Sequence, residues 1–389
     1  MITLNLHRIR SASIYNIDKY IKYLINGEFI IRENINDKGT TKPAYKINEK
    51  YLGGVYVVNI EPETKLFDKI IKKQRNRKAH FNRLAPHLQQ MKDKFMNMDF
   101  DYTGAEDWIK SNLSVEKQYY AMVAISQLED KRFRNFHRNE TNNRLDTNLT
   151  NLKSDLKQFL IGDYAQIDVK NSQPFLLSYL IQTITTNNTI LFSCINGVLD
   201  VVKVFGNKTI KKVLKIHHNA KKADLVNLSS YFESVKNGRL YEDFIELTPD
   251  DITRDEAKDA MFALMFSQNE IHKGHRRFIP YKKEKEIFAS AYPLLYEMIK
   301  VLKEKDHTKL SVTLQKIESH LFIDRIAKEL VENGIVPLTV HDSVIVERQH
   351  ADKALQIMKH VFETEIGFVP SFHIDSLKPI NKKTTRWIN

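Results

Sequence analysis

Two short apolar runs, Val336–Val340 and Val344–Val346, flank His341-Asp342-Ser343 in the segment IVPLTVHDSVIVERQ. β-Branched side chains suit the pleated surface of a sheet, and runs this short around a polar triplet predict a β-hairpin with a carboxylate at its tip. A turn aspartate is common and needs no function. This turn is less ordinary, because neither Gly nor Asn eases it. A second apolar piece, Phe159-Leu160-Ile161 in FLIGDYAQID, predicts a strand that ends on Asp163 and is followed by Tyr164, Gln166 and Asp168. An Asp there suits a plain turn or a helix cap. It also suits a hard cation held by the carboxylate and neighbouring backbone oxygens. Two such carboxylates brought together could bind a pair of Mg²⁺ ions for in-line phosphoryl displacement.

Between these segments lies TRDEAKDAMFALMFSQ. Thr253 predicts an N-cap, and Asp255 and Glu256 fall in the first turn, where the helix dipole favours them. Arg254, Lys258, Phe262 and Phe266 recur every four residues. Each such step drifts by about 40° around a helix, so the four form one shallow stripe. Two cations followed by two rings suit a nucleoside triphosphate, the cations on phosphates and a ring against the base. The plain alternative is a salt-bridged surface with both Phe side chains in the core.

The chain has 389 residues, and 60 Lys and Arg stand against 48 Asp and Glu, a formal charge of +12. That excess favours a polyanionic partner, because neutralised phosphates release condensed counterions; a solvated lysine surface would carry the same count. The single cysteine, Cys194, excludes an internal disulfide framework and a multi-cysteine zinc site. His217-His218 and His272-x₂-His275 lack Cys or acidic partners at zinc-like spacing. The richest apolar stretch, Thr189–Phe205, is broken by Asn196, Asp200 and Lys203, so no membrane span is expected. The N-terminus lacks the apolar core of a secretory signal. A soluble, intracellular, cytoplasmic monomer is the expectation.

Strand-like pieces at Ile2–Leu6 and Tyr51–Ile60 bracket a polar stretch, Asn34–Pro43, that predicts a loop. From Pro62 to about Asp99 the pattern is helical and basic, with Leu66, Ile70 and Ile71 at helical spacing and Pro86 kinking or splitting the run. Residues 100–135 predict helix, then a polar Asn- and Arg-rich stretch predicts a long loop. Residues 175–245 predict mostly helix, with the basic run KTIKKVLKIHHNAKK. Mixed strand and helix without repeats indicate an α+β fold.

In chain order, the strand–Asp, the Arg-x₃-Lys-x₃-Phe-x₃-Phe helix and the His-Asp hairpin resemble the three motifs of family A (DNA polymerase I-like) DNA polymerases. NNRLDTNLTNL is similar to the family's primer–template segment, Phe288 and Tyr292-Pro293 to its aromatic and Tyr-Pro pair, and Leu314–Ser319 to the helix before the final hairpin. The likeness runs over about residues 138–375. It implies a right-hand polymerase fold: a palm with an antiparallel sheet, helical fingers and a thumb. Residues 138–389 would be palm and fingers, with fingers at about 176–300, and residues 1–137 an N-terminal region whose basic helices, Lys65–Lys94, clamp duplex like a thumb.

The resemblance further implies template-directed addition of deoxynucleotides to a primer 3′-hydroxyl with two Mg²⁺ ions, or Mn²⁺ in their place. Asp163 and Asp342 would hold metal with the Tyr164 carbonyl; Lys258 would contact the triphosphate and protonate departing pyrophosphate, and Arg254 would hold the outer phosphates. Phe262 would pack on the incoming nucleotide and Phe266 near the template base. Gln166 and Asp168 would lie by the sugar. Arg144, Gln315 and His341 would contact the primer–template. Asp168 stands where the family usually has Glu, and Ser343 where it has Glu; His-Asp-Ser is instead similar to single-subunit phage-type RNA polymerases. The Asp-x-Glu strand of a proofreading exonuclease is not visible in the region before residue 140. An RNA polymerase or primase-like enzyme, and a catalytically silent nucleic-acid-binding homologue, are the rival expectations.

Overall fold

The computed structural model describes residues 17–37, 40–48, 50, 84–186, 200–247, 252–273 and 276–377. The strands expected at Ile2–Leu6 and Tyr51–Ile60, most of the basic run after Pro62, Cys194 and His275 lie outside them. Two compact units divide the chain, one of residues up to Ala85 with Phe100–Arg134, the other of Pro86–Asp99 with everything from Asn135.

In the first unit, α1 (Ile17–Asn26) leads into an antiparallel hairpin, β1 (Ile30–Asp37) and β2 (Thr40–Ile47). The expected loop Asn34–Pro43 is therefore mostly strand, with Asn34 opposite Pro43. Its polar composition misled because a ladder is held by backbone groups, whatever the side chains. Pro86 opens α2 (Pro86–Asn97), where a fixed φ and a missing N–H are tolerated. That helix belongs to the second unit, and its Lys94 Nζ donates to the Val336 carbonyl at 2.8 Å. The first unit continues with α3 (Tyr102–Asn112), capped by Asp101 accepting from the Gly104 N–H at 2.9 Å, and α4 (Val115–Glu129). Ala105 and Ile109 of α3, and Ala121, Met122, Ile125 and Leu128 of α4, recur at helical spacing and are buried.

The second unit opens with a small antiparallel ribbon, β3 (Phe136–Arg138) and β4 (Leu145–Thr147), where a long loop was expected. Then follow β5 (Tyr164–Val169), α5 (Ser172–Thr185), α6 (Val201–Phe205), α7 (Asn207–His218), α8 (Lys222–Lys236), α9 (Leu240–Leu247) and α10 (Arg254–Phe266). A ribbon of β6 (Ile271–Lys273) and β7 (Arg276–Phe278) precedes α11 (Lys282–Ala291), α12 (Pro293–Lys303) and α13 (Thr308–Ser319). A π-helical segment, His320–Ile326, joins α13 to α14 (Ala327–Glu332). The chain then adds β8 (Leu338–Val340), β9 (Ser343–Glu347), α15 (Ala351–Ile366) and β10 (Phe372–Ser376).

β10, β5, β9 and β8 form one antiparallel sheet in that order, which makes the protein α+β as expected. α15 packs on the sheet through Phe362, whose ring meets Phe372 of β10 at 5.8 Å and Phe175 of α5 at 5.7 Å. α5 is buried nearly throughout, which matches its almost unbroken apolar sequence. Phe288 and Tyr292 sit in the core with Tyr231 and Phe244.

α10 is fixed at both ends. Thr253 and Glu256 form a capping box: the Glu256 N–H donates to Thr253 Oγ1 at 3.2 Å, and the Thr253 N–H to Glu256 Oε2 at 2.8 Å. At the other end two buried lysines donate to carbonyls, Lys303 to Leu264 and Lys285 to Gln268. Their charge suits a helix C-terminus, although burial lowers Lys285 to about 8 and Lys303 to about 7. No described helix is long and apolar enough to cross a membrane.

Candidate active site

β8 and β9 form the expected hairpin, with His341 and Asp342 as a two-residue turn between the paired Val340 and Ser343. His341 takes φ +52°, a left-handed conformation that costs a residue other than Gly roughly 1–2 kcal/mol. The neighbouring strand, β5, runs antiparallel to β9 with Tyr164 opposite Glu347 and Asp168 opposite Ser343. The Val169 N–H donates to the Asp342 carbonyl at 3.3 Å. This register decides which aspartate accompanies Asp342, and it is Asp168.

Asp163 lies at the other end of the ladder. Five residues of strand separate it from Asp168, about 17 Å. Its exposed carboxylate accepts from Arg348 Nε at 2.7 Å, and the Tyr164 carbonyl accepts from the same guanidinium at 3.3 Å. The expected strand before Asp163 is absent: Ser154–Phe159 form a 3₁₀ helix, and the strand begins only at Tyr164. The metal-ligand roles inferred for Asp163 and Tyr164 therefore find no second carboxylate of the hairpin beside them.

At the Asp168 end the polar groups are closely organised. Gln166 and Asp168 share one face of β5, as alternate residues do. Gln166 Nε2 donates to both Asp168 oxygens, at 2.9 and 3.0 Å, and to Ser343 Oγ at 3.2 Å. Ser343 Oγ in turn donates to the Val340 carbonyl at 2.9 Å. Burial pushes Asp342 up to about 7, and the negative charges of Glu318 and Asp168 push the same way. Asp168 is raised too, mainly by burial, with Gln166 and Lys157 opposing.

Cations and their positioning groups surround this pair. The Arg144 guanidinium spans Glu318, with Nη2 2.8 and 2.9 Å from its two oxygens, and Gln173 donates to the same buried carboxylate. Asn142 Nδ2 donates to Gln315 Oε1 at 3.0 Å, so the β3–β4 turn is stitched to α13 by side chains at both ends of Gln315–Glu318. His341 is lowered by burial and by the charges of Arg144 and Lys157, and its Nδ1 is buried without a partner among the described residues. Lys157 is buried in the 3₁₀ helix; burial lowers it, while Asp168 and Asp342 raise it.

α10 realises the predicted stripe. Ala257, Ala260, Met261 and Leu264 make its buried face, leaving Phe262 and Phe266 half-buried and stacked on each other at 5.4 Å and 26°. Lys258 lies over the Phe262 ring at 5.9 Å. Arg254 lies over the Tyr241 ring at 5.1 Å and bonds Glu242 Oε1 at 3.0 Å. Burial pushes the Tyr241 phenol up to about 12, with Arg254 lowering it and Asp342 raising it. Tyr241 thus seats the first cation of the stripe on its ring.

The structure therefore gathers Gln166, Asp168, Asp342, His341, Arg144 and Gln315, and holds Arg254 on Tyr241 and Glu242. It adds Lys157, Gln173, Tyr241 and Glu318, none of which sequence patterns had singled out. Glu318 follows Gln315 by three on one helix, and Gln173 is a polar residue in an apolar helix, so both carried some signal. Lys157 and Tyr241 carried none. Among the described residues no group of three or more His, Cys, Asp or Glu side chains is arranged to hold a metal.

No family model matches the chain, and no curated protein matches it. Among solved structures, the POL domain of Pol1 from M. smegmatis, in complex with DNA primer-template and dNTP, is similar at a TM-score of 0.29 with 11% identity. The alignment covers 67% of this chain and 51% of that one, about half its length. A likeness that slight adds no weight to the site geometry.

Proposed function

We propose that the protein is a template-directed polymerase that adds nucleotides to a primer 3′-hydroxyl by phosphoryl transfer, with Asp168 and Asp342 as its metal-binding carboxylates. The observation that carries this is the β5–β9 register, which sets Asp168 beside the His341-Asp342 turn. Two crowded carboxylates, one raised to about 7, are an arrangement that a hard divalent cation relieves. Oxygen donors suit Mg²⁺, which commonly takes one or two carboxylates and completes its shell with water and substrate phosphates. Two bound Mg²⁺ ions would supply stabilisation of the attacking and leaving oxygens.

The chain's own residues do the rest by positioning and charge. Arg254 and Lys258 bind triphosphate oxygens, and Lys258 gives a proton to departing pyrophosphate. Phe262 and Phe266 offer ring surface to the nucleotide and the template base. Arg144, Gln315 and His341 form the floor on which the primer end lies, and Lys157 adds positive charge beside the carboxylates. A fold of palm, fingers and thumb belongs to this same reading.

Deoxynucleotides are the first reading of the substrate. Ribonucleotides are the second, because Asp168 serving as a ligand leaves no carboxylate on Gln166-Ile167-Asp168 to exclude the 2′-hydroxyl. Extension of a primed template with separate dNTP and rNTP pools tests both. Growth with dNTPs supports DNA synthesis, and growth with rNTPs alone supports RNA synthesis. Binding without extension from either pool would establish a silent homologue.

A further inference from the structure

We infer that the lysine face of α7 is a docking surface for the phosphate backbone of a nucleic-acid duplex, outside the carboxylate site. α7 is amphipathic: Thr209, Ile210 and Val213 are buried against the unit, and Lys208, Lys211 and Lys215 are exposed at i, i+3 and i+7 on the opposite side. With Asn207 and Lys212 they line an open groove. Lys212 is committed to Glu304, at 2.6 Å. Glu304 is the carboxylate facing this surface, and its pKa is lowered first by the Lys212 bond. Lys208, Lys211 and Lys215 have no ion pair among the described residues. Exposed Lys203 and Lys305 extend the same charge at its margins.

The lining says which polyanion fits. At 1.5 Å per residue, the three free lysines rise about 4.5 and 6 Å from one to the next, a span of about 10 Å. A duplex strand presents a phosphate about every 3.4 Å of axis, so about three fall within that span. Among the described residues no apolar side chain lines the groove to anchor a protein, and no Phe, Tyr or Trp lines it to stack the bases of a single strand. Point charges without base contacts fit a backbone whose bases are turned inward.

The test is fluorescence anisotropy of the full chain with a labelled blunt duplex, in EDTA and without nucleotide, across a KCl series. Wild type is compared with Lys208→Gln/Lys211→Gln/Lys215→Gln, and with the triple Arg variant. The Gln variant should bind duplex more weakly, its log K against log salt slope falling by up to about 2.7, or 0.9 for each lost phosphate contact. The Arg variant should keep the wild-type slope, and both should melt as wild type does. Unchanged slope and affinity in the Gln variant would overturn the inference in favour of a solvated face. A loss on single strands as large as that on duplex would overturn the choice of duplex. Because binding is read without chemistry, a protein that never extends a primer would sink the polymerase reading and leave this one standing.

Discussion

The two ends of β5 carry the same functional group in opposite circumstances. Asp163 is exposed and neutralised by one Arg348 guanidinium. Asp168 is half-buried, oriented by Gln166, and faces the hairpin turn with Asp342, whose carboxyl burial lifts to about 7. An exposed pair of the first kind contributes little to stability, about 0–1 kcal/mol. A crowded pair of the second kind stores electrostatic repulsion that a bound cation releases. What separates them is strand register, since both aspartates lie in the same ten-residue segment.

The largest effect that can break this comparison is on extension. Asp168→Asn and Asp342→Asn should each lower the primer-extension rate by on the order of 10³-fold or more, about 4 kcal/mol of barrier. Asp163→Asn should stay within about threefold of wild type; equal losses at Asp163 and Asp168 would return the ligand role to the far end of the strand. A smaller effect is on stability against pH in EDTA. Asp342 is raised from its unfolded value of about 3.8 to about 7, so the folded state holds the extra proton between them. Its contribution is full below about pH 4 and is lost as pH rises through 7, at up to about 1.4 kcal/mol per pH unit. Asp342→Asn should flatten that slope in urea melts, and Mg²⁺ should stabilise wild type at pH 8 but not the variant. The smallest effect is at the other end: Arg348→Ala should lower stability by no more than about 1 kcal/mol and leave extension intact.

Much of the site was legible in sequence because its parts are local. The hairpin, the Thr253 cap and the four-residue stripe each depend on a few neighbouring residues, and each formed as the pattern requires. Arg144 and Gln315 were placed by resemblance, and the structure brings the β3–β4 turn and α13 together. The strand expected before Asp163 is missing because Phe159-Leu160-Ile161 is apolar and short, which a strand and a packed 3₁₀ turn satisfy equally. Phe159 and Leu160 are buried by that turn, and the strand starts after Gly162. Register is a nonlocal quantity set by β9, far along the chain, and no window around Asp163 contains it. Lys157 and Tyr241 are hidden for the same reason, since the charges that act on them most come from other elements.

The sheet order has a consequence for the making of the protein. β5, which bears Asp168, lies between β9 and β10, and both emerge from the ribosome much later than β5 does. Helices α5 to α13 can gather before the sheet is complete, because they pack chiefly on one another. The strand bearing the first carboxylate must wait with both edges unpaired until the last described strands arrive. The carboxylate pair therefore assembles only after β9 has been made, and a nascent chain stalled in α13 would expose a strand open to pairing with a neighbour.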